Sequence, residues 1–217
     1  MGMILGSLVL SLAYVSCTQP SSSEPGQLSS APPAAARHAR DVVRAWRFFF
    51  GLAETPAIAM AQIHQESLFN CTAVSRSGAQ GCAQFMPRTA KAIAAKLPPE
   101  VRQACLNPNG CPFDPRWSFY ALAKYDYDLH QSYANTATPL DRWGFTLAAY
   151  NGGPTWLNAE RAVCRAHRTC KNARYFQHVQ SFCGKTGRSK AACAENTSYP
   201  ERVLFTLMPM YKERFNL

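Results

Sequence analysis

Glu66 is the side chain on which a reaction could be built in this sequence. It closes a short apolar segment (Ile58, Met60, Ala61, Ile63) and is followed from Ser67 to Gln84 by a loop of small polar residues that includes Thr72, Ser75, Ser77, Gly78 and Gly81. A carboxyl in the last turn of a helix lies at the negative end of the helix dipole, so its charged form is disfavoured. Such a group is suited to holding a proton and giving it up to a leaving oxygen. A loop of this composition presents backbone N–H and C=O groups to a polar ligand such as a sugar. Spacing alone would still leave Glu66 an ordinary solvated carboxylate.

No other side chain forms an obvious partner for it in sequence. Asp114, Asp126, Asp128 and Asp141 lie away from the loop and read as helix caps or solvated helix faces. His64 stands two positions before Glu66, and a helix turns it to another face. His38, His130, His167 and His178 form no short-spaced pair, so no metal and no other cofactor is expected.

The elements that must hold Glu66 read as helices throughout. Val42, Val43, Trp46, Phe49 and Phe50 recur at three- and four-residue spacing, giving a helix from about Arg37 to Gly51. Thr55-Pro56 is a cap followed by proline at a first helical position, opening the segment that ends at Glu66. Further helices are expected from Pro87 to about Lys96, from Trp117 to about Tyr133 behind an Asp114 cap, over Trp143–Tyr150, and over Trp156–His167. Tyr175-Phe176 and the run Val203–Met208 suggest two more, while Val101–Pro112 reads as irregular. No stretch alternates as a strand would, so the expected fold class is all-α with six to nine helices.

Three stretches then resemble one family. Gln65-Glu66-Ser67, Ala73-Val74-Ser75, Gly78-Ala79, Gly81 and Gln84-Phe85-Met86-Pro87 with Thr89-Ala90 are similar to the first signature of soluble lytic transglycosylases. That family is goose-type-lysozyme-like and cleaves peptidoglycan. Ala148-Ala149-Tyr150-Asn151-Gly152-Gly153-Pro154 resembles its second signature, and Glu195-Asn196-Thr197-Ser198-Tyr199 followed by Val203 a later one. The resemblance spans about Ala53–Thr206. It departs where Cys82-Ala83 replaces a Leu-Met pair, and in insertions over Ala104–Pro112 and Cys164–Cys193.

The resemblance implies a lysozyme-like single catalytic domain over residues 40–217, with several disulfides. Glu66 would be the catalytic acid, Ser75 and Gln84 would contact glycan, Tyr150 and Asn151 would line the cleft, and the Tyr199 hydroxyl would lie near the acid. Ser67 would support backbone. The implied reaction cleaves the β-1,4 bond between N-acetylmuramic acid and N-acetylglucosamine, with the muramoyl C6 hydroxyl closing a 1,6-anhydro ring. A hydrolytic muramidase and a non-catalytic wall-binding protein are the alternatives.

The ends and the charge bear on location. Met3–Val15 is an apolar run too short for a membrane span, and Tyr14-Val15-Ser16-Cys17 resembles a lipobox. Residues 1–16 are therefore read as an export signal, Cys17 as a lipid-anchored N-terminus, and the Ser/Pro-rich residues 17–39 as a flexible linker. This would place the protein in the periplasm or on the periplasmic face of the outer membrane. Removing Cys17 from the nine cysteines leaves Cys71, Cys82, Cys105, Cys111, Cys164, Cys170, Cys183 and Cys193, as expected for disulfides in an oxidising compartment. Spacing suggests nearest-neighbour pairs without fixing them, since eight cysteines allow about 105 connectivities. A net charge of +10 and the acid-free basic segment Arg161–Lys190 predict attraction to a polyanion. With no recognisable nucleic-acid module, anionic peptidoglycan strands are the expected partner, the segment otherwise being a solvated surface. A monomer is expected.

Overall fold

The structure is a computed structural model that describes residues 30–103 and 111–217; Cys17, the stretch read as an export signal and Cys105 lie outside them. The described residues form α1 (Pro33–Phe50), α2 (Ala57–Ser67), α3 (Pro87–Ala94), α4 (Pro99–Gln103), α5 (Pro115–Ser132), α6 (Pro139–Gly152), α7 (Pro154–Ala166), α8 (Lys190–Glu201) and α9 (Met208–Phe215). Six of these nine helices open on proline, whose fixed φ suits a first helical position and whose missing N–H would have no intrahelical partner there. Asp114 caps α5 by accepting from Trp117 N, and Thr138 caps α6 by accepting from Asp141 N. Among the described residues, only isolated bridges, Val74 with Gln80 and Gln80 with Phe85, interrupt the all-α architecture. Among the described residues no helix is long and apolar enough to cross a membrane.

α2 is the buried axis. Every residue from Ala57 to His64 is buried, so the helix has no solvent face and its sequence carries no amphipathic stripe. Alanines at 57, 59 and 61 let neighbouring helices approach closely, while its two buried polar side chains each make one hydrogen bond to another helix. His64 Nδ1 meets the Tyr211 hydroxyl at 2.9 Å, and Gln62 Nε2 donates to Asp126 Oδ1 at 3.3 Å. α1 packs along α5 on one side, while α9 and the π-helical stretch Arg202–Leu207 close the other. A second apolar cluster, with Leu129, Phe145, Leu157, Tyr175 and Val179, joins α5, α6 and α7 to the following loop.

Several boundaries differ from expectation. α1 begins at Pro33, inside the stretch read as linker, because Pro33 and the alanines after it favour a helix and Ala35 is buried. α6 begins at Pro139 rather than Trp143, set by the Thr138 cap. Pro99–Gln103 is a short helix that runs into the start of the stretch read as irregular from Val101. Tyr175-Phe176 is not helical; its apolar character serves burial, and only a 3₁₀ turn at Val179–Phe182 follows. α8 was not foreseen, since its buried residues are Asn196, Tyr199 and Pro200 rather than an apolar stripe, and only the Ser189 cap, accepting from Ala192 N, signals its start. Cys71–Cys82, Cys164–Cys170 and Cys183–Cys193 are paired as spacing suggested.

Candidate active site

α2 ends where its chain turns left-handed at Leu68 and Phe69, with φ of 54° and 64°. This reversal buries Phe69 and leaves Glu66 half-buried at the floor of a cleft. The loop that follows is clamped at three points. Cys71 is bonded to Cys82, Gly81 N donates to Ala73 O at 2.9 Å, and Ser67 Oγ donates to Cys82 O at 2.8 Å. Gly81 is irreplaceable by geometry: its φ is +75°, and a Cβ would lie 1.6 Å from Pro112 O. Ser67 thus supports the backbone, as the resemblance implied.

The cleft has a volume of about 510 Å³, and Glu66, Ser75, Gln84, Tyr150, Asn151 and Tyr199 all line it. Tyr199 comes from α8 and donates its hydroxyl hydrogen to Glu66 Oε1 at 2.5 Å. Gln84 commits its amide nitrogen to Gly81 O at 2.8 Å and Ala73 O at 3.3 Å, which leaves the amide oxygen as the group able to accept from a ligand. Ser75 Oγ is shared between Ser77 Oγ and Ala79 N, each at 3.0 Å. The Tyr150 hydroxyl donates to Ala83 O at 2.7 Å, so the ring lines the cleft while the hydroxyl fixes the loop to α6.

Glu66 is electrostatically prepared to carry a proton. Burial pushes its carboxyl up to about 7, the Tyr199 hydrogen bond opposes the shift, and the nearby Glu195 carboxylate adds to it. A group titrating there is protonated in a large share of molecules at neutral pH and can act as a general acid.

Sequence reasoning missed three acids' true settings. Glu195 belongs to the same cleft, brought there by α8, with its Oε1 accepting from Asn151 Nδ2 at 3.3 Å. The expectation of no second carboxylate near the motifs is therefore corrected. Asp126 is not on a solvated face but 0% exposed, facing Gln62 one helical turn before Glu66. Asp141 is also buried and accepts from Tyr175 N at 2.9 Å. Asp128 pairs with Lys96 and Lys124 near the surface, as a helix-face acid would. Tyr125, which lines the cleft beside Asp126, carried no motif that could have marked it.

Burial favours the neutral form of Asp126. Its Oδ2 and the Gln62 Oε1 are both buried without a hydrogen-bond partner among the described residues. A proton on Oδ2 would give the carboxyl a hydrogen to donate to an acceptor such as that amide oxygen, while Oδ1 accepts from the amide nitrogen. Burial raises its proton affinity well above the ordinary Asp value, the Gln62 bond opposing and the charge of Glu66 adding. Since the folded state then binds the proton more tightly than the unfolded chain, this stability contribution is full below the ordinary Asp range and is lost as pH rises. Asp126→Asn can make the same reciprocal pair, so thermal melts should show near-parity with wild type at pH 4 and higher stability at pH 8. Asp126→Leu strands the Gln62 amide and should cost about 1–3 kcal/mol. Lower stability of the Asn variant at pH 8 would mean that the carboxyl is ionised and paired.

Residues 52–169 match the family described as the transglycosylase SLT domain. Among solved structures, the 70 kDa soluble lytic transglycosylase of Escherichia coli is 23% identical with a TM-score of 0.50, over 79% of this chain and 24% of that one. An inactive mutant of lytic transglycosylase Slt from Pseudomonas aeruginosa is 20% identical with a TM-score of 0.55, over 82% of this chain and 24% of that one. Both likenesses concern the fold, and this chain spans about a quarter of either protein. No curated protein matches the sequence. The family match takes in Glu66, its clamped loop and the Tyr150-Asn151 wall across more than half of the chain, which belongs to the transglycosylase SLT domain family.

Proposed function

We propose that the protein is a peptidoglycan lytic transglycosylase. It cleaves the β-1,4 bond between N-acetylmuramic acid and N-acetylglucosamine and leaves 1,6-anhydro-muramoyl ends. The observation that carries this reading is Glu66 itself, a half-buried carboxyl pushed up to about 7, bonded to Tyr199 and open to a polar cleft of about 510 Å³. Protonated Glu66 gives its hydrogen to the glycosidic oxygen as the C1–O bond breaks, and positive charge develops at C1 and the ring oxygen. The Tyr199 hydroxyl stabilises the carboxylate so formed. That carboxylate then takes the proton of the muramoyl C6 hydroxyl, whose oxygen bonds to C1, and Glu66 is restored to its acid form without water.

Ser75, the Gln84 amide oxygen and Asn151 are the polar groups available to hold the sugars, and the substrate's N-acetyl group can shield C1. Delivery to the wall requires export, and in this reading Cys17 is acylated and tethers the domain to the outer membrane through the residues before Pro33.

A hydrolytic muramidase is the second reading, favoured by Glu195, a cleft carboxylate that could activate a water. Mass spectrometry of digested peptidoglycan separates the two. Anhydro-muramoyl ends, retained in a Glu195→Gln variant, are the expected result. Reducing ends, lost in that variant, would establish the hydrolase.

A further inference from the structure

Next to the cleft lies a groove of about 400 Å³, walled by Trp156, Gly187, Arg188, Ser189 and Ala192, which shares Asn151, Gly152 and Glu195 with the cleft itself. One depression therefore continues into the other across the same three residues. We propose that this groove is a saccharide subsite, in which Trp156 stacks against a neutral N-acetylhexosamine ring of the strand being cleaved at Glu66. The proposal rests on the glycan-cleaving function above and extends it to a wall built by the Cys183–Cys193 loop and the first turn of α7.

Three observations carry it. Trp156 is 42% exposed at the edge of the groove, and the Arg188 guanidinium lies over its ring 5.6 Å from the centroid, so the indole is held by a cation–π contact while part of its surface stays open. A broad aromatic face flanked by hydrogen-bonding groups is the surface a pyranose needs, since the ring's C–H face is apolar and its edge is hydroxylated.

The wall is also prebuilt. Arg188, which is 9% exposed, donates to Gly152 O at 3.1 Å and to Asn196 Oδ1 at 2.7 Å, and Asn196 Nδ2 in turn donates to Ala148 O and Asn151 Oδ1 at 2.8 and 3.1 Å. The loop that carries Arg188 is closed by the Cys183–Cys193 disulfide, so the groove requires little ordering when a ligand arrives.

Charge then selects the occupant. Among the described residues, Arg188 is the one cation lining the groove, and its guanidinium is already matched by buried Glu160, with Nε 3.6 Å from Oε1. The remaining charge is the exposed Glu195 carboxylate. An acidic stem peptide would bring its carboxylates against the Glu195 carboxylate within the groove, whereas a neutral sugar offers hydroxyls to Glu195 and Ser189.

The experiment uses the full chain with peptide-free glycan oligosaccharides of increasing length, prepared by removing the stems, and separately with free stem peptide. Wild type should cleave long oligosaccharides with higher kcat/KM than short ones. Trp156→Ala should reduce that long-to-short advantage about tenfold through KM, and Trp156→Phe should restore most of it. An unchanged advantage in the Ala variant overturns the subsite, as does an equal loss at every length.

Calorimetric titration in a Glu66→Gln background keeps the binding question apart from catalysis. Trp156-dependent glycan binding by a protein whose wild type cleaves nothing would uphold the subsite and refute the enzyme. Cleavage of glycan without dependence on Trp156 would do the reverse. Trp156-dependent binding of free stem peptide, with none of glycan, would overturn the sugar as occupant.

Discussion

Glu66→Gln is expected to lower glycan cleavage by about 10²–10⁴-fold while the protein folds as before, because glutamine fills the same space and has no acidic proton to give. Two pH effects should accompany it. Wild-type kcat/KM should fall as pH rises through about 7, where the carboxyl that must donate becomes ionised. An essential acid titrating near 4, with no activity in the neutral range, would sink the mechanism.

Stability should follow the same group. The folded-state value lies above the ordinary Glu value of 4.5, so the proton stabilises the fold below that value and the contribution is lost as pH rises toward about 7. The Gln variant should therefore match wild type near pH 4 and exceed it at pH 8, by an amount on the order of 1–3 kcal/mol. Thermal melts at the two pH values provide the check. A Gln variant that is less stable at pH 8 would mean that the native site favours the ionised acid.

Arg188→Ala is expected to give the largest stability loss, about 3–5 kcal/mol, because it removes one partner of a buried ion pair and leaves the other in place. Arg188 and Glu160 have side chains only 5% and 2% exposed. Burial raises the Glu160 carboxyl, and the Arg188 charge opposes that rise. Without Arg188, Glu160 must either stay ionised without its counter-charge or take up a proton. The deficit should therefore be smaller at pH 5 than at pH 8, since protonation is cheaper at the lower pH.

Adding Glu160→Gln to Arg188→Ala should recover part of the loss, as it removes the stranded charge. The same variant frees Gly152 O and Asn196, so the Asn151 wall loosens and KM for glycan should rise more than kcat falls. Urea unfolding at the two pH values and steady-state kinetics measure these effects. A deficit below about 1 kcal/mol that does not change with pH would show that the pair is not the brace described here.

Some elements were legible because their signals are local. Proline at first helical positions, the Asp114 cap and the polar loop after Glu66 act within a few residues, so the helix holding the acid could be read directly. The close cysteine pairs were legible for the same reason, since short separations keep partners near each other in any compact chain. α8 was not, because it is held by the burial of Asn196 and Tyr199 against other helices rather than by an apolar stripe. Asp126 was misread as solvated because an acid at helical spacing looks the same whether it faces water or a buried amide. Arg188 was grouped with a basic surface segment, and only packing shows its charge enclosed by Glu160 and Gly152.

By itself the sequence determined an all-α chain, a carboxyl at the end of an apolar helix and a polar loop beside it, since each depends on backbone preferences and near neighbours. Only the tertiary structure decided what that carboxyl meets. Tyr199 and Glu195 arrive from a helix more than a hundred residues away, and Asp126 lies beneath from a third. Proton affinity depends on desolvation and on charges within a few ångströms, and those distances are set by packing between helices rather than by order along the chain.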